Sequence, residues 1–155
     1  MASTITASAL TVTITESIEL NGKDQGGTNT LSIGSVNEIS KRIATVSTTE
    51  ATILTFSAAV GQGTYIAANV RYIRFTNLDD TNYIMLTFKD EDNTEFRVKI
   101  DAGQSFIFNG DNSGGVVDTM KANGSALSSG LADLYDVTAD ADTASCDLEI
   151  FIASV

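Results

Sequence analysis

The chain has no histidine, no proline and no tryptophan, a single cysteine, and only 9 basic residues against 20 acidic ones. Each shortage excludes a class of chemistry. Nucleophilic catalysis of the Ser-His-Asp or Cys-His kind needs an imidazole to take the proton at neutral pH, and none is present. Cys146 is the lone thiol, so neither an intramolecular disulfide nor a zinc site of Cys and His ligands is available. Its place in the apolar approach to the last strand marks it as a buried structural thiol. A formal charge of −11 repels phosphate backbones and anionic bilayers, so neither nucleic acid nor membrane is expected as a partner. No segment approaches the roughly 18 uninterrupted apolar residues of a membrane span. Met1 to Leu10 lacks the basic start and apolar run of a secretory signal, so a cytoplasmic site of synthesis is expected. The G-x-S-x-G, G-x-x-x-x-G-K and G-x-G-x-x-G motifs are absent as well; Gly61 and Gly63 complete none of them.

What is present is two-residue alternation, the mark of half-buried antiparallel strands. The spacing predicts strands over Val70 to Thr76, Tyr83 to Lys89, Thr94 to Ile100 and Gln104 to Asn109, joined by short polar connections as a meander. Phe96, Val98 and Ile100 share one face with Ile84, Leu86 and Phe88 of the preceding strand, while Glu95, Arg97 and Lys99 take the other. Further strands are expected over Leu10 to Leu20, Val36 to Val46, Ala51 to Ala59, Asp133 to Ala139 and Asp147 to Ala153. The second and third of these read as a hairpin turning at Ser47 to Glu50, and Leu148, Ile150 and Ile152 line one face of the last. Asn21 to Thr30, with Gly22, Gly26 and Gly27, reads as a flexible loop. Gly110 to Gly130 reads as a long loop, either projecting or ordered by a neighbour, and Met1 to Ala9 as a contact arm. A chain of 155 residues is one domain able to bury about two thirds of its surface without a staple. The expected architecture is an all-β, antiparallel sandwich of the jelly-roll type with glycine-rich loops, covering residues 1–155.

Candidate sites are few. Asp90-Glu91-Asp92-Asn93 and Asp79-Asp80 cluster the oxygens a hard cation takes, but no complete calcium loop is spelled out, and a charged hairpin turn explains them as well. Asp140 and Asp142 read as turn residues, and Asn123-Gly124-Ser125 as a chance glycosylation match. Carboxylate pairs capable of glycoside hydrolysis would need one buried acid, whereas the acidic clusters here fall in turns or on outer strand faces. No catalytic, cofactor-binding or metal-binding residue is assigned, no cofactor is expected, and the chain is expected not to be an enzyme. Tyr65 and Tyr135 are the loop aromatics that a carbohydrate-binding module would use.

The string Val70-Arg71-Tyr72-Ile73-Arg74-Phe75-Thr76-Asn77-Leu78-Asp79-Asp80-Thr81-Asn82-Tyr83, followed by a hairpin and Ala102-Gly103-Gln104-Ser105-Phe106, resembles small virion structural proteins of tailed bacteriophages. The likeness extends loosely to the closing hairpin from Ala132 to Ala153. It implies a capsid decoration or cement protein: a sandwich or jelly-roll module, often trimeric, that binds major capsid subunits or other virion proteins and is found in virions assembled in the host cytoplasm. The alternative is a tail- or fibre-associated module that binds a receptor or carbohydrate.

Overall fold

The computed structural model describes residues 5–61, 63–121 and 130–155. Their strands are β1 (Ser8–Glu16), β2 (Glu19–Leu20), β3 (Lys23–Asp24), β4 (Gly27–Val36), β5 (Glu38–Val46), β6 (Ala51–Ser57), β7 (Tyr65–Ile66), β8 (Val70–Asn77), β9 (Ile84–Asp90), β10 (Glu95–Ile100), β11 (Ser105–Asn109), β12 (Leu134–Ala141) and β13 (Cys146–Ser154). Among the described residues the helical content is a single 3-10 turn, Ala67–Asn69. A five-stranded sheet in the order β10-β9-β12-β6-β7 packs on a four-stranded sheet in the order β11-β8-β13-β5. Two further ribbons, β1-β4 and β2-β3, are hydrogen-bonded into neither sheet. The protein is an all-β sandwich.

The core follows from the period of two. Leu54 and Phe56 of β6, Ile84, Leu86 and Phe88 of β9, and Val137 and Ala139 of β12 point inward from one sheet. Ile73 and Phe75 of β8 meet them from the other, with Leu148, Ile150 and Ile152 of β13. Phe88 sits at the centre of an aromatic cluster, edge-on to Phe75 at 5.7 Å and stacked on Phe96 at 4.9 Å and Phe108 at 5.4 Å. All six side chains expected to share an interior turn the same way, in the register Phe96↔Phe88, Val98↔Leu86 and Ile100↔Ile84. Phe96 remains 39% exposed because β10 is an edge strand.

The connectivity differs from the expected meander and hairpin. β9 and β10 do pair, but β8 and β11 pair with each other in the opposite sheet, so the chain crosses the sandwich before β9 and after β10. β5 and β6 likewise belong to different sheets, β5 pairing with β13 and β6 with β12. Alternation reports which face of a strand is buried and is silent on its partner, and a short polar connection serves equally as a hairpin turn or as an arch between sheets. Both crossings are tied by one buried side chain, Asn77. Its amide nitrogen donates to the carbonyls of Asn82 (2.8 Å) and Ile100 (3.3 Å), and its Oδ1 accepts from the Asp79 amide.

The expected loop of residues 110–130 is not a projection over its described part. Val116 and Met120 are buried in the core, the Val116 amide donates to the Ala67 carbonyl (2.9 Å), and Met120 and Ala132 form an antiparallel bridge. Residues 122–129, which include the Asn123-Gly124-Ser125 match, lie outside the described residues.

The other correction is at the N-terminal end. The strand expected to run to Leu20 stops at Glu16, with Glu19–Leu20 a separate short strand, and the expected loop of Asn21 to Thr30 contains its partner β3 and the start of β4. Asn21 and Gly22 both take left-handed backbone, with φ of 52° and 72°, which is the geometry of a two-residue hairpin turn between β2 and β3. β4 then returns antiparallel to β1 over nearly its whole length. Residues 8–36 thus form an arm of paired strands. Of the segment expected to be the arm, Met1–Thr4 lies outside the described residues, and Ser8 and Ala9 already belong to β1.

Candidate interaction surface

The arm has two unlike sides. Cross-strand pairs Leu10↔Ile33, Val12↔Leu31 and Ile14↔Asn29 alternate with Thr11↔Ser32, Thr13↔Thr30 and Thr15↔Thr28. The first set lies over the outer face of the four-stranded sheet, where Leu10, Val12, Leu31 and Ile33 form a second, smaller apolar cluster with Tyr72, Ile107 and Phe151. The second set is an uncharged hydroxyl ladder, with Thr15 and Thr28 joined at 3.3 Å. Packing on the sheet fades toward the tip: Ile14 is 44% exposed, Ile18 50% and Leu20 56%. A groove of about 340 Å³ opens between arm and sheet, walled by Val12, Ile14, Tyr72, Arg74, Ile107 and Phe151. Another, of about 420 Å³, lies at the base of the arm among Ile5, Leu10, Val36 and Ile39. A two-stranded ribbon is marginal in water unless its apolar side is covered, so the outer half of this arm lacks the packing that stabilises its inner half.

The sheet face beside the arm carries a three-residue ion-pair network. Glu149, on β13, accepts from Arg74 at 2.7 Å and pairs with Lys41 of β5 at 3.1 Å. The Arg74 hydrogen bond, followed by that from Lys41, holds its carboxyl below the usual range. Tyr72 packs edge-on to Phe151 at 6.1 Å, and burial pushes its hydroxyl pKa up against the opposing pull of Arg74. Next to them β5 presents Ile39 and Ile43, each about 60% exposed, on the same face as Lys41. β5 ends its sheet, so one of its edges is unpaired.

The clustered carboxylates serve their own turns. Asp90 is buried and its Oδ1 accepts the amides of Asp92 (3.0 Å) and Thr94 (2.7 Å); Asp79 accepts those of Thr81 (2.8 Å) and Asn82 (2.6 Å). Asp111 does the same for Ser113 and Gly114, and hydrogen bonds from the Ser113 side chain and backbone bring its pKa down to about 2. Asp140 lies within β12 and not in a turn, while Asp142 follows the strand. Among the described residues no group of three His, Cys, Asp or Glu side chains is placed to hold a metal ion. A calcium chelator is therefore expected to leave the melting temperature unchanged, as read by differential scanning calorimetry; a fall of several degrees would show that a cation joins these turns. Cys146 is buried, and burial raises its thiol pKa, which leaves it unreactive. Tyr65 is half-buried and donates to Ser40 Oγ at 2.8 Å, whereas Tyr135 is 51% exposed at a bulge in β12.

On the outer face of the five-stranded sheet, Asp136 is held against its own charge. Burial raises its pKa; Lys89 opposes this, and Glu50 and Glu95 add to it. One carboxylate oxygen, Oδ1, is buried without a hydrogen-bond partner. A carboxyl whose pKa is raised by folding gives stability below its unfolded pKa and loses it as pH rises through the folded one. Asp136→Asn is therefore expected to raise the melting temperature at pH 7. The gain should shrink as pH falls through the carboxylate range, and a gain independent of pH would contradict the assignment.

No protein-family model matches the chain, and no curated protein or solved structure is significantly similar to it. The sequence reading missed the surface just described, because β4 carries only Leu31, Ile33 and Val36 as large apolar residues within a run rich in Gly, Ser and Thr. The Asn21-Gly22 dipeptide was the available signal.

Proposed function

We propose that this chain is a non-enzymatic structural protein of a bacteriophage virion, a capsid decoration protein that binds between major capsid subunits as a trimer and stiffens the shell. The arm carries this reading: a long β-ribbon with unpaired edges and three half-exposed aliphatic side chains is suited to docking on a neighbouring protein. The strand order β11-β8-β13-β5 facing β10-β9-β12-β6 is what two interlocked Greek keys produce, and we read the sandwich as a jelly roll on that ground. The acidic surface suits a protein displayed at high copy number. Quantitative mass spectrometry of purified particles, from a phage whose genome carries the gene, tests the proposal. Copy numbers in a fixed ratio to the major capsid protein are expected, and absence from the particles would refute it. Reproducible binding to a glycan array, lost on Tyr135→Ala, would replace it with the receptor-binding alternative.

A further inference from the structure

An asparagine loses its side-chain amide most easily before glycine, because the next backbone nitrogen then meets no Cβ on its way to the Asn Cγ. The chain carries Asn-Gly three times, at Asn21-Gly22, Asn109-Gly110 and Asn123-Gly124, the last outside the described residues. The fold treats the first two very differently. Asn21 and Gly22 are the exposed central residues of the turn between β2 and β3, which the pair Leu20↔Lys23 closes. Among the described residues nothing accepts a hydrogen bond from the Gly22 amide, and a Cβ built on Gly22 would meet nothing within 4 Å. Attack on Cγ needs a rotation about the Asn21 Cα–C bond, and the short β2-β3 ribbon that resists it opens at little cost. Asn109 instead ends β11, paired with Tyr72, and the Gly110 amide donates to the Arg71 carbonyl at 2.9 Å. Gly110 is also pressed against backbone: a Cβ there would lie 2.3 Å from the Val70 carbonyl oxygen and 2.8 Å from the Gly115 carbonyl oxygen. That nitrogen is held.

We propose that Asn21-Gly22 is a self-modifying site, at which the native fold leaves spontaneous deamidation open while closing it at Asn109. The Gly22 nitrogen attacks Asn21 Cγ, and the new N–Cγ bond forms as the Cγ–Nδ2 bond breaks. The Gly22 amide proton leaves with Nδ2 as ammonia, and a cyclic succinimide remains. Water then opens the ring at either carbonyl, giving aspartate or its isoaspartyl isomer, so the sum is one water taken up and one ammonia released. Either product adds a carboxylate close to Glu19 and Asp24 in a chain already at −11. The isoaspartyl form also inserts a methylene into the main chain, for which a two-residue turn has no slack. β2 and β3 then separate, while the two sheets, into which neither is bonded, stay as they are. The turn therefore ages apart from the sandwich, whether or not the chain belongs to a virion.

The test is ageing of the full chain at mildly alkaline pH, where more of the attacking nitrogen is deprotonated. Tandem mass spectrometry of the tryptic fragments ending at Lys23 and Lys121 reads the two sites, and labelling by an isoaspartyl methyltransferase reads the isomer. Asn21 is expected to convert over days and Asn109 about tenfold or more slowly, since the hydrogen bond and the packing at Gly110 have to open first. In urea that unfolds the chain the two should convert at similar rates, and Asn21→Gln should keep the mass of the first fragment constant. Hydrogen exchange on the aged protein should find residues 19–24 unprotected and both sheets protected as before. Equal rates at the two sites in the native protein would overturn the inference, as would an Asn21 that keeps its amide when folded and loses it only in urea. Neither result touches the mass-spectrometric test of virion incorporation, so the two proposals fail separately.

Discussion

Phe88→Ala is expected to cost about 3–5 kcal/mol of unfolding free energy, a large share of what a domain of this size possesses. The side chain is fully buried and its ring touches those of Phe75, Phe96, Phe106 and Phe108, drawn from β8, β10 and β11. These three strands and β9 itself flank the two crossings between sheets, so a cavity here loosens the sandwich from both sides. Collapse around the gap is limited because β9 is held between β10 and β12 in fixed register. Chemical denaturation with urea reads the loss directly. By contrast Phe96→Ala, at the exposed edge, should cost clearly less. Equal losses at the two positions would mean that Phe88 is not the centre of the core.

Gly115→Ala is expected to destabilise by about 2–4 kcal/mol, a large effect for the addition of one methyl group. Gly115 has a φ of +67°, and a Cβ there would lie 2.3 Å from the Ala67 carbonyl oxygen and 2.7 Å from the Ala68 carbonyl carbon. Neither neighbour is a side chain that swings away. The position is the point at which the segment after β11 is pinned to the 3-10 turn: Val116 donates to Ala67, and Arg71 reaches both the Ala68 carbonyl (2.6 Å) and, more weakly, that of Ser113 (3.4 Å). Lifting this segment uncovers Val116 and Met120, which are buried in the wild type. Hydrogen exchange should show the Val116 and Met120 amides losing protection before the sheets do. Unchanged protection at both would contradict the pinning role.

How much of this was legible in the sequence depends on what each pattern encodes. The inward faces of β9, β10 and β13 follow from alternation alone, because a strand buried on one side must place aliphatic residues two apart. Cys146 as a buried thiol was legible for the same reason. Pairing was not. Nothing in Val70–Asn77 distinguishes a neighbour at β9 from one at β11, and Asn77, whose side chain bonds to both crossings, reads locally as an ordinary turn asparagine. The segment 110–121 looked loose because its composition is that of a loop, yet Val116 and Met120 suffice to anchor it once Gly115 permits the close approach. The arm was the largest omission. Its threonines and serines fit a strand face turned to water, but β4 has too few apolar residues to stand out beside the glycines that bracket it. The exposure of Ile39 and Ile43 was beyond reach for a different reason: alternation marks them as a shared face, and only the position of β5 at the end of its sheet leaves that face bare.

The most direct test of an assembly role is a cryo-EM map, at side-chain resolution, of a phage particle whose genome carries this gene. Sandwich density is expected on the outside of the shell, seated between major capsid subunits, with residues 8–36 extended onto an adjacent protein. A shell without such density, or a sandwich whose arm touches nothing, would contradict it.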